Sequence, residues 1–183
     1  LFKRILEITG KKTMSEVWPG LELYMHGGVS FTPYKEQFQK LIGKKINYIE
    51  MYNASEGFFA AQENPGDDGM LLFTDHGIFM EFMPVSEYGK KHPQTISLQD
   101  VEIGKNYALI ISTNGGLWRY LVGDTIQFTS LTPFRVKVSG SLKHYINAFG
   151  EEVIVDNSDK AIAIACEKTG SVLSENQQAS RRK

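Results

Sequence analysis

The chain has 183 residues, of which 42% are hydrophobic and 22% are charged, a composition typical of an ordinary globular protein. Its 20 Lys and Arg residues are offset by 21 Asp and Glu residues, so the formal charge of -1 provides no basic surface for nucleic acid. No apolar run is long enough to cross a bilayer, and we therefore expect neither a nucleic acid nor a membrane partner. Cys166 is the only cysteine, which excludes an intrachain disulfide and favours a cytoplasmic location.

The first predicted unit is a strand, a helix and a second strand. Apolar residues at i, i+4, i+7 and i+8 from Tyr34 fall on one helical face. Thr32 is then the N-cap, Pro33 the first helical residue and Gly43 the stop signal. This order predicts a parallel strand pair with a right-handed crossover. The two strands are predicted at residues 21–25 and 46–52.

The pattern between Pro65 and Ser139 changes to short apolar runs separated by turn residues, without helical periodicity. It is typical of an antiparallel meander or a small barrel, so the predicted fold class is mixed α/β. The strands are predicted at residues 70–73, 78–83, 107–112, 117–122, 125–129 and 134–138. Beyond them we predict a linker at residues 139–144, a helix at residues 159–168 and a disordered polar tail at residues 174–183.

The loop at residues 53–57 follows the second predicted parallel strand, at the edge where open α/β sheets bind ligands. With Tyr52 before it, this segment offers an aromatic ring, the hydroxyl of Ser55 and the carboxylate of Glu56. A nucleotide needs an apolar plane for its base, a hydroxyl near its phosphates and an oxygen ligand for Mg²⁺. Asn, Ser and Gly are also the residues that ordinary turns use, so the segment alone is compatible with a plain turn.

A second candidate is Asp124, which follows Gly123 directly after an apolar run. A carboxylate after a glycine turn can bind the two adjacent hydroxyls of a ribose. The alternative is a hairpin aspartate without a ligand.

These two segments, together with the stretch at residues 138–152, resemble one known pattern. The chain is similar to bacterial members of the auxin-responsive (Gretchen Hagen) family of acyl acid amido synthetases, which belongs to the adenylate-forming superfamily. The likeness runs from Val17 to Gly170. It implies a two-step reaction in which a carboxylate attacks the α-phosphate of ATP, and an amine, usually that of an amino acid, then displaces AMP to form an amide.

The resemblance also implies ATP and Mg²⁺ as cofactors, and small carboxylic acids and amino acids as substrates. Tyr52 matches the aromatic residue beside adenine, Ser55 the hydroxyl beside the phosphates, and Glu56 the Mg²⁺ ligand. Ser55 and Glu56 are therefore the implied catalytic residues, and Asp124 matches the aspartate that binds ribose. Arg119 and Tyr120 lie beside Asp124 in the implied nucleotide site, and Phe58 and Phe59 are assigned to the acyl pocket.

The resemblance further implies a hinge between the C-terminal part of a large N-terminal adenylation domain (residues 1–138) and the truncated beginning of a small C-terminal domain (residues 145–183). The hinge covers residues 139–144 and contains Gly140, Ser141 and Lys143. The family usually has arginine at the position of Ser141, and serine replaces neither its charge nor its fork of donors. The hinge also makes His144, Glu151 and Glu152 candidates for the second half-reaction.

The phosphate-binding loop of the family would precede Leu1, so we expect this chain to be an internal fragment that is inactive alone. Two other functions remain open at this stage. One is an adenylate-forming ligase that transfers the acyl group to coenzyme A. The other is a non-catalytic homologue that binds nucleotide or a protein partner.

Overall fold

The computed structural model describes residues 1–28, 31, 34–142, 146–148, 151–153, 164–165 and 168. The helices are α1 (Phe2–Thr9), α2 (Met14–Val17) and α3 (Lys35–Ile42), and two 3-10 turns lie at Val85–Glu87 and Leu98–Asp100. The strands are β1 (Leu23–Gly27), β2 (Asn47–Ala54), β3 (Gly57–Ala61), β4 (Met70–Leu72), β5 (Ile78–Pro84), β6 (Asn106–Thr113), β7 (Tyr120–Leu131), β8 (Phe134–Ser141), β9 (Ile146–Ala148) and β10 (Glu151–Val153).

The predicted strand, helix and strand are confirmed. β1 and β2 pair in parallel, with Leu23 opposite Asn47, and α3 connects them. Phe38 of the helix packs on Tyr24 of β1 with ring centroids 5.1 Å apart, which buries the apolar face of the helix against the sheet. Gly43 ends the helix at φ 80°, a conformation that glycine adopts without steric cost. The predicted cap residues, Thr32 and Pro33, lie outside the described residues.

One eight-stranded sheet contains both predicted strand regions, in the order β1-β2-β3-β4-β8-β7-β6-β5. All its pairs except β1 with β2 are antiparallel, and the predicted meander is confirmed in β5 to β8. In the described part of the chain no pairing joins β1 to β5, so the sheet is open and the predicted alternative of a closed barrel is wrong. The two runs predicted at residues 117–122 and 125–129 are one strand, β7, whose pairing is interrupted by register shifts.

The main core shows that this open sheet is strongly curled. Tyr52 of β2 and Phe128 of β7 belong to the same buried cluster, although three strands lie between β2 and β7 in the sheet. A Cβ atom at Gly57, the first residue of β3, would lie 2.8 Å from Cδ1 of Ile78, the first residue of β5. The edge strand β5 therefore curves back toward the β2–β3 hairpin, and the concave face of the sheet encloses the core.

The opposite, convex face carries a smaller buried cluster, which includes Met83, Ala108 and Leu142. Met83 follows Phe82 of the concave core, as expected from the alternation of side chains along a strand. Side chains of consecutive residues on β5, β6 and β7 therefore point to different faces of the sheet. This alternation decides which of the predicted site residues meet.

The first half of the stretch predicted as a linker, residues 139–141, is β-strand. Ser139, Gly140 and Ser141 are the last residues of β8, and the last two pair with Thr125 and Asp124 of β7. Ser139 is 3% exposed, and its hydroxyl lies 3.1 Å from the hydroxyl of Thr125. Small side chains allow close pairing here, so these three residues form sheet.

Several predictions fall largely or wholly outside the described residues. They concern Lys143 and His144, the polar tail at residues 174–183 and most of the helix at residues 159–168, where helical backbone is described at Ile164, Ala165 and Lys168. The helices in the described part of the chain are all too short or too polar to span a membrane.

Candidate functional site

The segment predicted as a ligand loop is a tight antiparallel hairpin. Asn53 and Ala54 end β2 and Gly57 begins β3, so only Ser55 and Glu56 form the turn. Ser55 is exposed and Glu56 is half-buried. A register shift between Tyr52 and Asn53 interrupts the ladder directly before the turn. Bulges of this kind often redirect side chains next to functional sites.

Tyr52 lies deep at the base of this hairpin. Its ring is 3% exposed and packs on Phe59 with ring centroids 4.9 Å apart. A base could therefore stack on Tyr52 only after neighbouring side chains moved. The Tyr52 hydroxyl is buried and meets no described group in hydrogen-bond geometry. Burial, followed by the negative charges of Asp124 and Glu56, raises the pKa of this hydroxyl.

Asp124 and Tyr120 of β7 form the rest of the site. They lie across the concave face of the curled sheet from the β2–β3 hairpin. Gly123 at φ 97° precedes Asp124, which is partly buried. Burial raises the pKa of Asp124 and Glu56 adds to this effect, while the nearby Tyr52 hydroxyl opposes it. Tyr120 is 40% exposed, and a hydrogen bond to Glu56 raises the pKa of its hydroxyl.

Four of the predicted site residues thus converge although up to 72 positions separate them in sequence: Tyr52, Glu56, Tyr120 and Asp124. Two hydroxyls and two carboxylates share a partly buried site between β2 and β7. The site can accept hydrogen bonds from vicinal hydroxyls and can offer carboxylate oxygen to a hard cation.

Arg119 is not part of this group, although it directly precedes Tyr120. Its guanidinium donates through Nε to Oε2 and through Nη2 to Oε1 of Glu81, both at 2.9 Å. Nη2 also lies 3.2 Å from Oγ1 of Thr95, which itself donates to Glu81 at 2.8 Å. Since Glu81 precedes Phe82 of the concave core, this network lies on the convex face. Burial alone would raise the pKa of Glu81, but its bonds to Arg119 and Thr95 lower it.

Arg119 also has an unusual backbone. It is the one non-glycine residue in the described part of the chain with a positive φ, 46°. This conformation costs an L-residue about 1–2 kcal/mol and persists only where the surroundings enforce it. The Arg119 amide donates to Oγ of Ser112 at 3.0 Å, which contributes to that enforcement.

The two phenylalanines predicted for the acyl pocket differ in burial. Phe59 has no exposed surface and belongs to the core. Phe58 is 39% exposed and packs edge-on against Phe73, with ring centroids 5.2 Å apart. The assignment of the two residues to an acyl pocket stays a prediction, and of the pair only Phe58 presents exposed surface.

Ser141, the predicted hinge residue, lies directly across the β7–β8 ladder from Asp124. Its hydroxyl donates to the carbonyl oxygen of Gly123 at 3.1 Å. Gly140 pairs with Thr125 in the same ladder. Ser141 therefore supports the strand backbone directly before Asp124, a role that its replacement of arginine did not suggest in the sequence. Lys143, the third predicted hinge residue, lies outside the described part of the chain.

The donor groups fit Mg²⁺ held mainly by a substrate. Among the described residues no three His, Cys, Asp or Glu side chains form a cluster that could hold a metal. Mg²⁺ at phosphate-transfer sites keeps several waters and uses one or two carboxylates together with substrate phosphates. Glu56, half-buried in a turn, offers one carboxylate for such a site.

Sequence reasoning missed the residues that hold Arg119. Glu81 is a charged residue inside an apolar run, IFMEFM, and this interruption is the signal that could have revealed it. Thr95 and Ser112 carry no comparable signal, because their positions depend on how distant segments meet.

Comparisons with known proteins identify two family models along the chain. The GH3 family N-terminal domain matches residues 1–46, and the GH3 family central domain matches residues 71–140. The second match contains β7 with Tyr120 and Asp124.

Curated relatives agree with these matches. An indole-3-acetic acid-amido synthetase GH3.3 of Arabidopsis thaliana is 29% identical over 123 residues, 63% of this chain and 20% of the relative. An indole-3-acetic acid-amido synthetase GH3.8 of Oryza sativa subsp. indica is 37% identical over 127 residues, 63% of this chain and 20% of the relative. The chain thus spans about a fifth of the length of these relatives.

Solved structures share the fold at low sequence identity. The GH3.15 acyl acid amido synthetase superposes with a TM-score of 0.65 at 20% identity, covering 90% of this chain and 31% of that chain. The same enzyme in complex with 2,4-DB gives a TM-score of 0.67 at 19% identity, covering 90% and 30%.

Proposed function

The chain belongs to the GH3 family, and from this premise we propose that it forms the nucleotide-binding wall of an ATP-dependent ligase. The ligase adenylates a small carboxylic acid and transfers the acyl group to the amine of an amino acid, forming an amide. The observation that carries the proposal is the convergence of Tyr52, Glu56, Tyr120 and Asp124 in one partly buried site. Relatives named as amido synthetases support the choice of an amine as acceptor.

In this proposal Asp124 accepts hydrogen bonds from the two ribose hydroxyls of ATP. Its partial burial strengthens such bonds, because the local dielectric is lower than in water. The buried Tyr52 hydroxyl at the base of the site lies near Asp124 and in this proposal donates to its carboxylate. This assignment uses the hydroxyl of Tyr52, since its ring is covered.

Glu56 and Ser55 act at the phosphates. Glu56 is the protein ligand of Mg²⁺, which neutralises phosphate charge when bound, and Tyr120 orients the Glu56 carboxylate. The exposed hydroxyl of Ser55 donates to a phosphate oxygen. These residues align the α-phosphate for attack by the carboxylate substrate, so the contribution of this chain is positioning and charge stabilisation. A cytoplasmic location is consistent with the use of ATP.

The test is MgATP binding by this 183-residue chain, measured by isothermal titration calorimetry or NMR titration. We expect Asp124→Ala to weaken binding about tenfold or more, because hydrogen bonds to a charged group contribute about 1.5–3 kcal/mol. We expect Glu56→Gln to remove the difference in ATP affinity between solutions with Mg²⁺ and with EDTA. The fold should be unchanged in both variants, as judged by circular dichroism.

Matched controls are Asp75→Asn and Glu102→Gln, which change exposed carboxylates on other segments. Both should bind MgATP like the unsubstituted chain. Binding that ignores Asp124→Ala, or Mg²⁺ dependence that survives Glu56→Gln, would contradict the proposed site. Adenylation itself is tested with the complete enzyme, in which pyrophosphate exchange should require a carboxylic acid substrate.

A further inference from the structure

Arg119 and Tyr120 are consecutive in sequence but serve opposite faces of the curled sheet. Arg119 extends over the convex face to Glu81, while Tyr120 pairs with Ile111 of the concave core and lies near Glu56. In a regular strand neighbouring side chains alternate in this way, but Arg119 precedes β7 and has a left-handed backbone. The direction in which Tyr120 enters the strand therefore depends on the conformation held at Arg119.

Three separate segments enforce that conformation. Glu81 of β5 receives two nearly parallel bonds of 2.9 Å from the guanidinium, the fork geometry in which arginine pairs most specifically with carboxylate. Thr95, between β5 and β6, bridges the same two side chains. Ser112 of β6 accepts the backbone N–H of Arg119. We call this network of Glu81, Thr95, Ser112 and Arg119 the convex clamp.

The clamp also explains why Arg119 is poorly suited to bind nucleotide. Its Nε and Nη2 donors point to Glu81 and Thr95, and the carboxylate already balances its charge. To reach a phosphate, the guanidinium would have to leave these partners and move to the other face of the sheet.

We propose that Arg119 is a positioning residue: the convex clamp fixes the left-handed backbone that directs Tyr120 onto Glu56, and Arg119 itself does not bind the nucleotide. The functional part of this inference rests on the proposed role of Glu56 as the Mg²⁺ ligand. Partners that orient a metal-ligating carboxylate strongly affect metal affinity, although they never touch the metal.

Glu81→Gln separates this role from direct binding. The variant keeps the shape of the side chain but weakens the pairing, and it frees Arg119 to move. If Arg119 only positions Tyr120, Glu81→Gln should reduce MgATP affinity about tenfold, whereas ATP affinity in EDTA should change little. If Arg119 bound phosphate directly, releasing it from Glu81 would leave or raise the affinity, and that result would overturn the proposal.

A structural readout does not depend on nucleotide. In NMR spectra of this chain, Glu81→Gln and Arg119→Lys should shift the Tyr120 ring and Glu56 carboxyl signals in the same direction. Amide exchange at Arg119 should accelerate about fivefold, the effect expected from losing an ion pair of this exposure. The double variant should show no further change, since both substitutions break one network. Unchanged Tyr120 and Glu56 signals in these variants would refute the inference.

Glu102→Gln is the matched control, because it removes an exposed ion pair to Lys105 just before β6 and involves no residue of the convex clamp. It should move neither the Tyr120 signals nor MgATP affinity. If the unsubstituted chain binds no MgATP, the proposed function fails, while the Tyr120 and Glu56 signals still decide whether the clamp positions Tyr120. If MgATP binds and depends on Asp124 but Glu81→Gln has no effect, only the clamp inference fails.

Discussion

Two glutamates with similar sequence surroundings have opposite electrostatic roles. Glu81 lies in β5 and is paired with Arg119 and Thr95, so its pKa falls below the ordinary value of 4.5. Glu50 lies in β2, is half-buried and has no ion pair among the described residues, so burial raises its pKa above the same ordinary value. Both sit in apolar runs, and only the partner supplied by a distant segment distinguishes them.

This difference predicts a pH-dependent stability effect at Glu50. Because its folded pKa is raised, the charged carboxylate destabilises the fold at neutral pH, and this penalty disappears as pH falls through the folded pKa to below about 4.5. Glu50→Gln should therefore raise the free energy of unfolding at pH 7 and change it little near pH 4. Urea denaturation at both pH values measures the difference.

Glu81→Gln provides the comparison for that experiment. It should lower the free energy of unfolding at pH 7, the opposite of the change expected for Glu50→Gln. Its lowered folded pKa means that the carboxylate stabilises the fold above about pH 4.5, and this contribution is lost as pH falls through the folded pKa. At pH 7 the Glu81→Gln variant should lose at most about 1 kcal/mol of unfolding free energy, because Arg119 is half-exposed. A Glu50→Gln variant that is less stable at pH 7 would show that Glu50 has a favourable partner.

At the level of elements, the two adjacent phenylalanines of β3 test the burial assigned to each of them. Phe59→Ala should cost about 3–5 kcal/mol of unfolding free energy, because it empties a fully buried position in the main core. Phe58→Ala removes the same side chain from a position that is 39% exposed and should cost no more than about 1 kcal/mol. Chemical denaturation of the two variants gives both values, and equal losses would contradict the difference in burial.

The elements also show what the sequence could and could not predict. Helix α3 and its stop at Gly43 follow from periodicity and glycine chemistry, which are local. Strand β3 was missed because Gly57–Ala61 has adjacent aromatic residues instead of a period of two, and both faces are apolar here. β7 was divided in two because Gly123-Asp124 resembles a turn, whereas it lies inside a long irregular strand.

The candidate site was predictable only in part, for the same reason. Glu56 and Asp124 carry chemistry that a nucleotide requires, and each follows an apolar run, so sequence could identify them. The placement of Arg119 depends on a positive φ and on partners 24 and 38 positions away, and neither has a local signature. Likewise, pairing of Ser141 with Asp124 depends on the register of β8 against β7.

For the molecule as a whole, the curl of the sheet depends on one close approach. Gly57→Ala would place a methyl group 2.8 Å from Cδ1 of Ile78 and 2.9 Å from the ring of Phe59, so these two packed side chains would have to shift. We expect a loss of about 1–3 kcal/mol in stability, the usual cost of overpacking. Because the hairpin carries Glu56, MgATP affinity should fall as well.

Gly77→Ala is the comparison, because a Cβ atom there meets nothing within 4 Å. Its cost should come only from its φ of 73°, about 1 kcal/mol, and MgATP affinity should be unchanged. Thermal denaturation and calorimetry of both variants separate the two effects. A Gly57→Ala chain as stable as the parent would indicate that the hairpin and β5 are farther apart than described.

The short strand β4 has a mechanical consequence for the site. Its three residues form two ladder pairs with β3 and two with β8, and they are the only part of the described ladder network that joins β1–β3 to β5–β8. Glu56 lies on one side of this seam, and Tyr120 and Asp124 lie on the other. Force or thermal motion that opens the sheet would meet least resistance at the seam. Loss of a few adjacent ladder bonds would therefore leave the packing of the shared core to hold the two halves of the site together.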